Sequence, residues 1–365
     1  MTTTIINKNK KPNVPNLRFK EFQGEWEYFL INDVCSEFKS GKNIKADSVF
    51  ECGEYPVYGG NGLRGYTSSY NHEGSYVLIG RQGALCGNVR SVYGKTYITE
   101  HAIAVAGNEK SNTNFLHYLF LKMNLGQYSD QSAQPGLAVN KLLKLKVALP
   151  IISEQTKIAK FLSLLDERIA TQNKIIDKLQ TLIKGLSNKI FESLQGQECR
   201  LGDIATITNG NSNVQDAITE NKDDLYPFFD RSEEIKYLPT FLFDKEAIIY
   251  PGEGAEFFPR YFNGKFALHQ RCYAIFDFNK AVNPQFLYCF LKTQNSYFIR
   301  NAVGSTVPSL RLDTFQKLKV VVPSKETQSI VSSLLFTLEK KHNTEKMLLQ
   351  TLLKQKHYLL RQMFI

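Results

Sequence analysis

Two stretches of the chain keep a seven-residue beat of apolar positions. In the first, Ile158, Leu165, Leu179 and Leu186 step by seven around Gln172, and Leu162, Ile169, Ile176, Ile183 and Ile190 form a second series. Steps alternating four and three draw one apolar stripe along a helix, the a/d pattern of a coiled coil. In the second stretch Val331, Leu338, Leu352 and Leu359 run beside Leu335, Leu349 and Met363, interrupted by His342, Glu345 and Lys356. The pattern predicts long helices over residues 151–195 and 324–365. Their seam is expected at Leu162, Leu165, Ile169, Ile176, Leu335, Leu338, Leu349 and Leu352. A helix over residues 154–194 would be roughly 60 Å long, and two such amphipathic helices are satisfied most simply by packing on each other. Pro150 and Pro323 mark their entry turns, and Gly196 is expected to end the first.

The helices belong to an internal repeat, with an offset of 173 residues where it is clearest. Leu145-Lys-Val-Ala-Leu-Pro150 recurs as Leu318-Lys-Val-Val-Val-Pro323, Gln155 meets Gln328, and Phe191 meets Phe364. Upstream, Asp33-Val34 resembles Asp203-Ile204, Gly83-Ala84 resembles Gly254-Ala255, and Phe115-Leu116 resembles Phe286-Leu287. The order is globular unit, helix, globular unit, helix, with boundaries at 1–150, 151–195, 196–323 and 324–365. Each globular unit reads as mixed α and β. Tyr76-Val-Leu-Ile79 and Ala247-Ile-Ile-Tyr250 are short apolar runs between glycine turns, and Gly59-Gly-Asn-Gly62 reads as a hairpin tip. Residues 114–122 and 284–292 each predict one helix. The fold class is α+β, two pseudo-repeated domains separated by long helices.

Composition narrows the class of function. Of 365 residues 42% are hydrophobic and 22% charged, as in globular proteins. No run approaches 18 apolar residues, so no membrane-spanning helix is expected, and the first residues lack the apolar core of a signal peptide. The six cysteines never form a C-x-x-C pair and are read as free thiols of a reducing cytoplasm. The formal charge is +10, which suits a polyanionic partner. The surplus is spread out: residues 196–323 carry 14 basic and 15 acidic side chains, so contact with an anion there must use local clusters.

Enzyme motifs fail on inspection. Tyr250-Pro-Gly-Glu-Gly254 and Asn283-Pro-Gln-Phe286 suggest an adenine methyltransferase, but only 29 residues separate them, about one βα unit. The repeat explains them better, Gly254 as the counterpart of the turn at Gly83, and Asn283, like its counterpart Asn112, as a helix N-cap, with proline in its first turn. Gly94-Lys-Thr96 lacks the earlier glycine of a phosphate loop, since that position is Val89. No metal-ligand spacing appears among the histidines.

Val14-Pro-Asn-Leu-Arg-Phe-Lys-Glu-Phe-Gln-Gly-Glu-Trp26 resembles the opening of specificity subunits of type I restriction–modification systems. Ser132-Ala-Gln-Pro-Gly-Leu137, Leu145–Pro150 and Glu154-Gln155 strengthen the resemblance, and Leu201-Gly-Asp-Ile204 is similar to the opening of that family's second recognition domain. Lys20 and Thr327 depart from the pattern. The resemblance spans the chain and implies a non-catalytic reader. Two target-recognition domains each bind half of a bipartite site in double-stranded DNA, and antiparallel helices hold them apart. It implies no cofactor in this chain: two modification subunits supply S-adenosylmethionine and methylate adenine, and restriction subunits bring ATP and Mg. Neither a metal site nor a membrane partner is implied. The alternatives are a stand-alone methyltransferase and a coiled-coil scaffold without DNA contact.

Base edges are read in the major groove by Arg or Lys on guanine and by Asn or Gln on adenine, and phosphates are held by basic and hydroxyl groups. Glycine-flanked loops bearing these types make Asn61, Arg64, Arg81, Gln82, Arg90, Lys95 and Gln134 the candidates in the first domain. In the second they are Arg231, Arg260, Lys265, Arg271, Arg300, Ser305 and Arg311, with Arg260 and Lys265 in a basic loop interleaved with aromatics.

Overall fold

The computed structural model describes residues 13–130 and 136–365. Two domains repeat one topology. The first runs β1 (Glu27–Leu30), α1 (Ile31–Val34), β2 (Cys35–Ser40), β3 (Tyr55–Gly59), β4 (Gly62–Thr67), β5 (His72–Gly80), β6 (Val89–Ile98), β7 (Ala102–Gly107), α2 (Thr113–Met123), α3 (Val139–Leu142) and β8 (Lys146–Leu149). The long helix α4 (Ile152–Ser193) follows. The second domain runs β9 (Gln197–Arg200), α5 (Leu201–Ile204), β10 (Thr206–Asn209), β11 (Tyr226–Phe229), β12 (Lys236–Leu238), β13 (Phe243–Pro251), β14 (Arg260–Leu268), β15 (Cys272–Phe276), α6 (Pro284–Lys292), α7 (Asn295–Asn301), α8 (Leu312–Gln316) and β16 (Lys319–Val322). The second long helix, α9 (Lys325–Gln362), closes the order.

The six-stranded sheets have the orders β2-β7-β5-β6-β3-β4 and β10-β15-β13-β14-β11-β12, which are the same order repeated. β3 lies parallel to β6 and β11 parallel to β14, while the other pairs are antiparallel. A two-stranded ribbon, β1–β8 or β9–β16, accompanies each sheet.

The apolar runs form central strands because successive side chains point to opposite faces and both faces are covered. Val77 and Ile79 enter the large core with Ile103, Val105 and Phe115, and Leu78 enters a smaller cluster with Ala102 and Ala104. In the second domain Ile248 and Tyr250 share one core with Tyr273 and Ile275, and Ala247 and Ile249 share another with Ala274. The asparagine caps form as expected. Asn112 accepts the amide of Phe115, and Asn283 accepts those of Gln285 and Phe286 with Pro284 in the first turn.

Contacts divide the chain into two compact units, the described residues up to Asn173 with Leu348–Ile365, and Lys174–Met347. In the first unit Ile158, Ala159 and Leu162 share the core with Leu359, Met363 and Phe364, and Lys356 Nζ lies 2.5 Å from Asp166. The start of α4 is therefore beside the end of α9. In the second unit Ile190, Phe191 and Leu194 pack with Val331, Leu335 and Phe336, the end of one helix beside the start of the other. Each unit thus pairs the helices in opposite directions. All eight seam residues are buried or half-buried, and Gln172 and Glu345 are buried within the same stripe.

One device ties a domain to a helix in both units. Gln155 accepts the amide of Asn112 at 2.8 Å and donates to the carbonyls of Lys110 and Pro150. Gln328 accepts the amide of Asn283 at 2.7 Å and donates to Ala281 and Pro323. Phe364 packs on Phe115 and Trp26, and its repeat partner Phe191 packs on Phe286 and Phe290. Glu154, fully buried, is held by Arg18 through two hydrogen bonds. Thr327, in the equivalent place, instead bonds with Ser324. One expectation is corrected: α4 stops at Ser193, so Gly196 is not its terminator. A Cβ at Gly196 would lie 2.4 Å from the carbonyl oxygen of Val322, so the glycine admits the neighbouring ribbon strand.

Candidate nucleic-acid interface

In the first domain the hairpin tip, the β5–β6 loop and the β6–β7 turn converge. A Cβ on Gly60 would meet the carbonyl oxygen of His101 at 2.7 Å, and one on Gly80 would meet that of Gly60 at 3.0 Å. The amide of Arg81 donates to His101 O at 2.9 Å. The Arg64 side chain passes against Gly59, and the Arg90 guanidinium against Gly62. The tip therefore brings Asn61, Arg64 and Arg90 beside Arg81 and Gln82. All five are exposed except Arg81, which is half-buried. Glycines recur here because the backbones approach too closely for a Cβ, and Gly62 also has a positive φ of 103°. Gln134 lies outside the described residues.

Lys95 is elsewhere. It faces Glu73 across the β5–β6 pair, six residues along β5 from Ile79. Its ammonium sits 4.8 Å over the Tyr70 ring, which meets Tyr55 at 5.0 Å. Lys265 repeats the arrangement, 4.8 Å over Phe241, which meets Tyr226 at 4.8 Å.

In the second domain a cleft of about 490 Å³ contains Arg231 and Arg271 together with Asp230, Lys236, Glu253 and His269. Burial raises the Asp230 pKa, but hydrogen bonds from Lys236 and Ser232 outweigh it and hold the carboxyl below its ordinary range. Burial lowers the His269 pKa against the pull of Asp230, which favours the neutral ring.

Arg260 and Lys265 do not lie in a loop, contrary to expectation; they belong to strand β14, continuous with the apolar residues Phe266–Leu268. Arg260 is half-buried. Its guanidinium donates to the carbonyl of Ser232 and lies 5.8 Å from the Phe229 ring centroid, so it supports one wall of the cleft. Ser305 is in a loop bound to the cleft edge, where Gly254 N donates to Pro308 O at 3.0 Å and Glu253 bridges Ser309. Arg300 lies in the last turn of α7 and Arg311 immediately precedes α8 without a side-chain capping bond; both are exposed, and neither lines the cleft.

The strand register reveals two residues that residue type and spacing do not single out. Gly80 pairs with Ala102 and Pro251 with Cys272, so Gln82 is equivalent to Glu253 and His101 to Arg271. Gln82 Oε1 lies 3.2 Å from His101 Nδ1. Glu253 accepts from Arg271 Nη1 at 2.9 and 3.0 Å. The strand pairing equates His101 with Arg271 and not with His269, which lies two residues earlier in the second repeat.

The fragments that suggest methyl transfer have structural jobs: Asn283 caps α6, and Gly254 turns the chain out of β13. Among the described residues no group of His, Cys, Asp and Glu is placed to hold a metal ion, and no helix is long and apolar enough to cross a membrane.

A family model described as type I restriction modification DNA specificity domain matches residues 23–181 and again residues 196–354. The chain is 42% identical over 154 residues to the type I restriction enzyme EcoprrI specificity subunit of Escherichia coli, a match covering 41% of this chain and 38% of that protein. It is 30% identical over 138 residues to the EcoDI specificity subunit of the same species, covering 38% of this chain and 30% of that one. The matched stretches thus span well under two thirds of these relatives. The crystal structure of a type I restriction–modification S subunit from M. genitalium superposes with a TM-score of 0.75 at 19% identity, covering 96% of this chain and 99% of that chain. A structure described for complex assembly and conformational transition of a type I system gives 0.55 at 13% identity, covering 92% and 96%. Both likenesses concern the fold.

Proposed function

Because the chain belongs to the family of type I restriction-modification DNA specificity domains, we propose that it is a non-catalytic reader of duplex DNA. Each domain binds one half of an asymmetric bipartite target. The domains span residues 1–150 and 196–323, with helices at 151–195 and 324–365. The helices set the gap and dock two modification subunits, which bind S-adenosylmethionine and methylate adenine. Restriction subunits, using ATP and Mg, complete the assembly in the cytoplasm.

The observation that carries this reading is one sheet order built twice, with different side chains at equivalent exposed loop positions. A single docking geometry then meets two different sequences. A helix of 42 residues, about 63 Å at 1.5 Å per residue, is long enough for half-sites about one DNA turn apart, ~34 Å.

The test is salt dependence of DNA binding by the chain assembled with its modification subunits. Affinity falls linearly in log salt with a slope of about −0.9 per phosphate neutralised. Removing Arg64 and Arg90 together is expected to make the slope shallower by up to about two, roughly one for each phosphate no longer neutralised. Binding insensitive to salt would favour the scaffold reading.

A further inference from the structure

We infer that Gln82 with His101, and Arg271 with Glu253, form one base-reading position built twice, filled differently to read a different base in each half-site. The inference rests on the reader function proposed above and adds the residues that set specificity. Positions 82 and 253 each follow the last rung of the strand before them by two residues, and positions 101 and 271 each precede the first rung of the next strand. The surroundings repeat as well. Arg81 O accepts from Leu137 N at 2.9 Å, and Gly252 O from Leu310 N at 2.8 Å. Ala102 N donates to Thr99 O, and Cys272 N to His269 O. Two rigid strand ends therefore present their side chains from the same place in each domain.

The chemistry differs where the backbone does not. In the second domain both Glu253 oxygens fall on Nη1 of Arg271. This pairing fixes the fork while Nη2 and Nε keep the geometry for guanine O6 and N7. Arg271 is 62% exposed and Glu253 20%, so the cation faces outward and the carboxylate behaves as a positioning residue. In the first domain Gln82 offers an amide, the side-chain type that pairs with adenine N6 and N7. His101 lies between Gln82 and Glu100, the latter at 3.1 Å, and orients the amide. Exposed positions that diverge between repeats otherwise sharing a fold are where two different sequences can be told apart.

The experiment sequences adenine methylation in cells carrying the chain with its modification subunit, using wild type, Arg271→Ala, Arg271→Lys, Glu253→Gln and the double change Gln82→Glu with His101→Arg. Removing one bidentate pair costs about 1–3 kcal/mol of discrimination, a factor of roughly 5–150. Arg271→Ala should relax one base, a guanine, in one half-site by that factor and leave the other half-site and the gap unchanged. Arg271→Lys should keep guanine as the preferred base with a smaller preference, because lysine can donate to guanine but lacks the planar fork that Glu253 holds. Glu253→Gln should keep the preferred base but weaken preference for it. The double change should move one position of the other half-site toward guanine. If Arg271→Ala lowers methylation evenly over all sites, Arg271 holds a phosphate and the inference falls. If wild type gives a split motif and no variant changes it, the inference falls while the reader function stands. If wild type gives no split motif with an active modification subunit, the reader function itself falls, and this inference with it.

Discussion

Replacing Gln328 by alanine removes the clamp between the second domain and α9. The side chain is fully buried and makes three hydrogen bonds of 2.7–2.9 Å. Truncation orphans the Asn283 amide and the carbonyls of Ala281 and Pro323. A buried group left without a partner costs about 1–3 kcal/mol, and one that water can reach costs less. Pro323 is buried, Asn283 half-buried and Ala281 exposed. The expected loss is therefore about 2–5 kcal/mol, near the upper end for a single substitution. Gln155→Ala should cost a similar amount, because its geometry is the same. Hydrogen exchange on the full chain distinguishes the two. Gln328→Ala should speed exchange at Asn283 and along α6, and Gln155→Ala at Asn112 and along α2. A destabilisation below about 1 kcal/mol in both variants, or exchange altered in the unit that was not mutated, would refute the clamp.

Other consequences are equally direct. Arg18→Ala leaves Glu154 buried without its partner, so urea denaturation should show a loss of about 3–5 kcal/mol, largely restored by adding Glu154→Gln. Changing both Leu165 and Leu338 to Asp puts charges into the helix stripe. It should abolish assembly or shift the methylated gap while circular dichroism shows both sheets intact, and wild-type methylation would count against the helices as a spacer. Burial, with help from Lys356 and against Asp166, lowers the His117 pKa from 6.5 to about 4. The folded state therefore resists protonation, so stability is full above pH 6.5 and falls as pH drops toward 4. This slope, about 3 kcal/mol in all, should flatten in His117→Phe, and NMR titration should find the ring neutral at pH 5.

What the sequence revealed follows from the range of each interaction. The long helices were legible because a seven-residue apolar step is local, and Gln155, Gln328, Asn112 and Asn283 were legible because the repeat carries each type twice. Sheet order was not, since β3 pairs with β6 across some 40 residues and no local pattern encodes a parallel partner. Nor was the closure of the first unit, where Leu17 N donates to Gln362 O and Trp26 packs on Phe364. Among the candidate DNA-binding residues, type suggested Arg64, Arg90, Arg231 and Arg271. Type alone could not separate them from Arg260, which packs beneath the cleft, or from Lys95 and Lys265, which lie over aromatic rings. His101 and Glu253 stayed hidden because their equivalence exists only in the strand register.

The most direct test of the central claim is methylome sequencing of a strain carrying this chain with an active modification subunit, before and after deletion of the chain. The account predicts one split, adenine-methylated motif that disappears on deletion. It also predicts that exchanging residues 196–323 for those of another specificity subunit changes only one half of that motif. An unsplit motif, a motif that survives deletion, or both halves changing on exchange of one domain would contradict it.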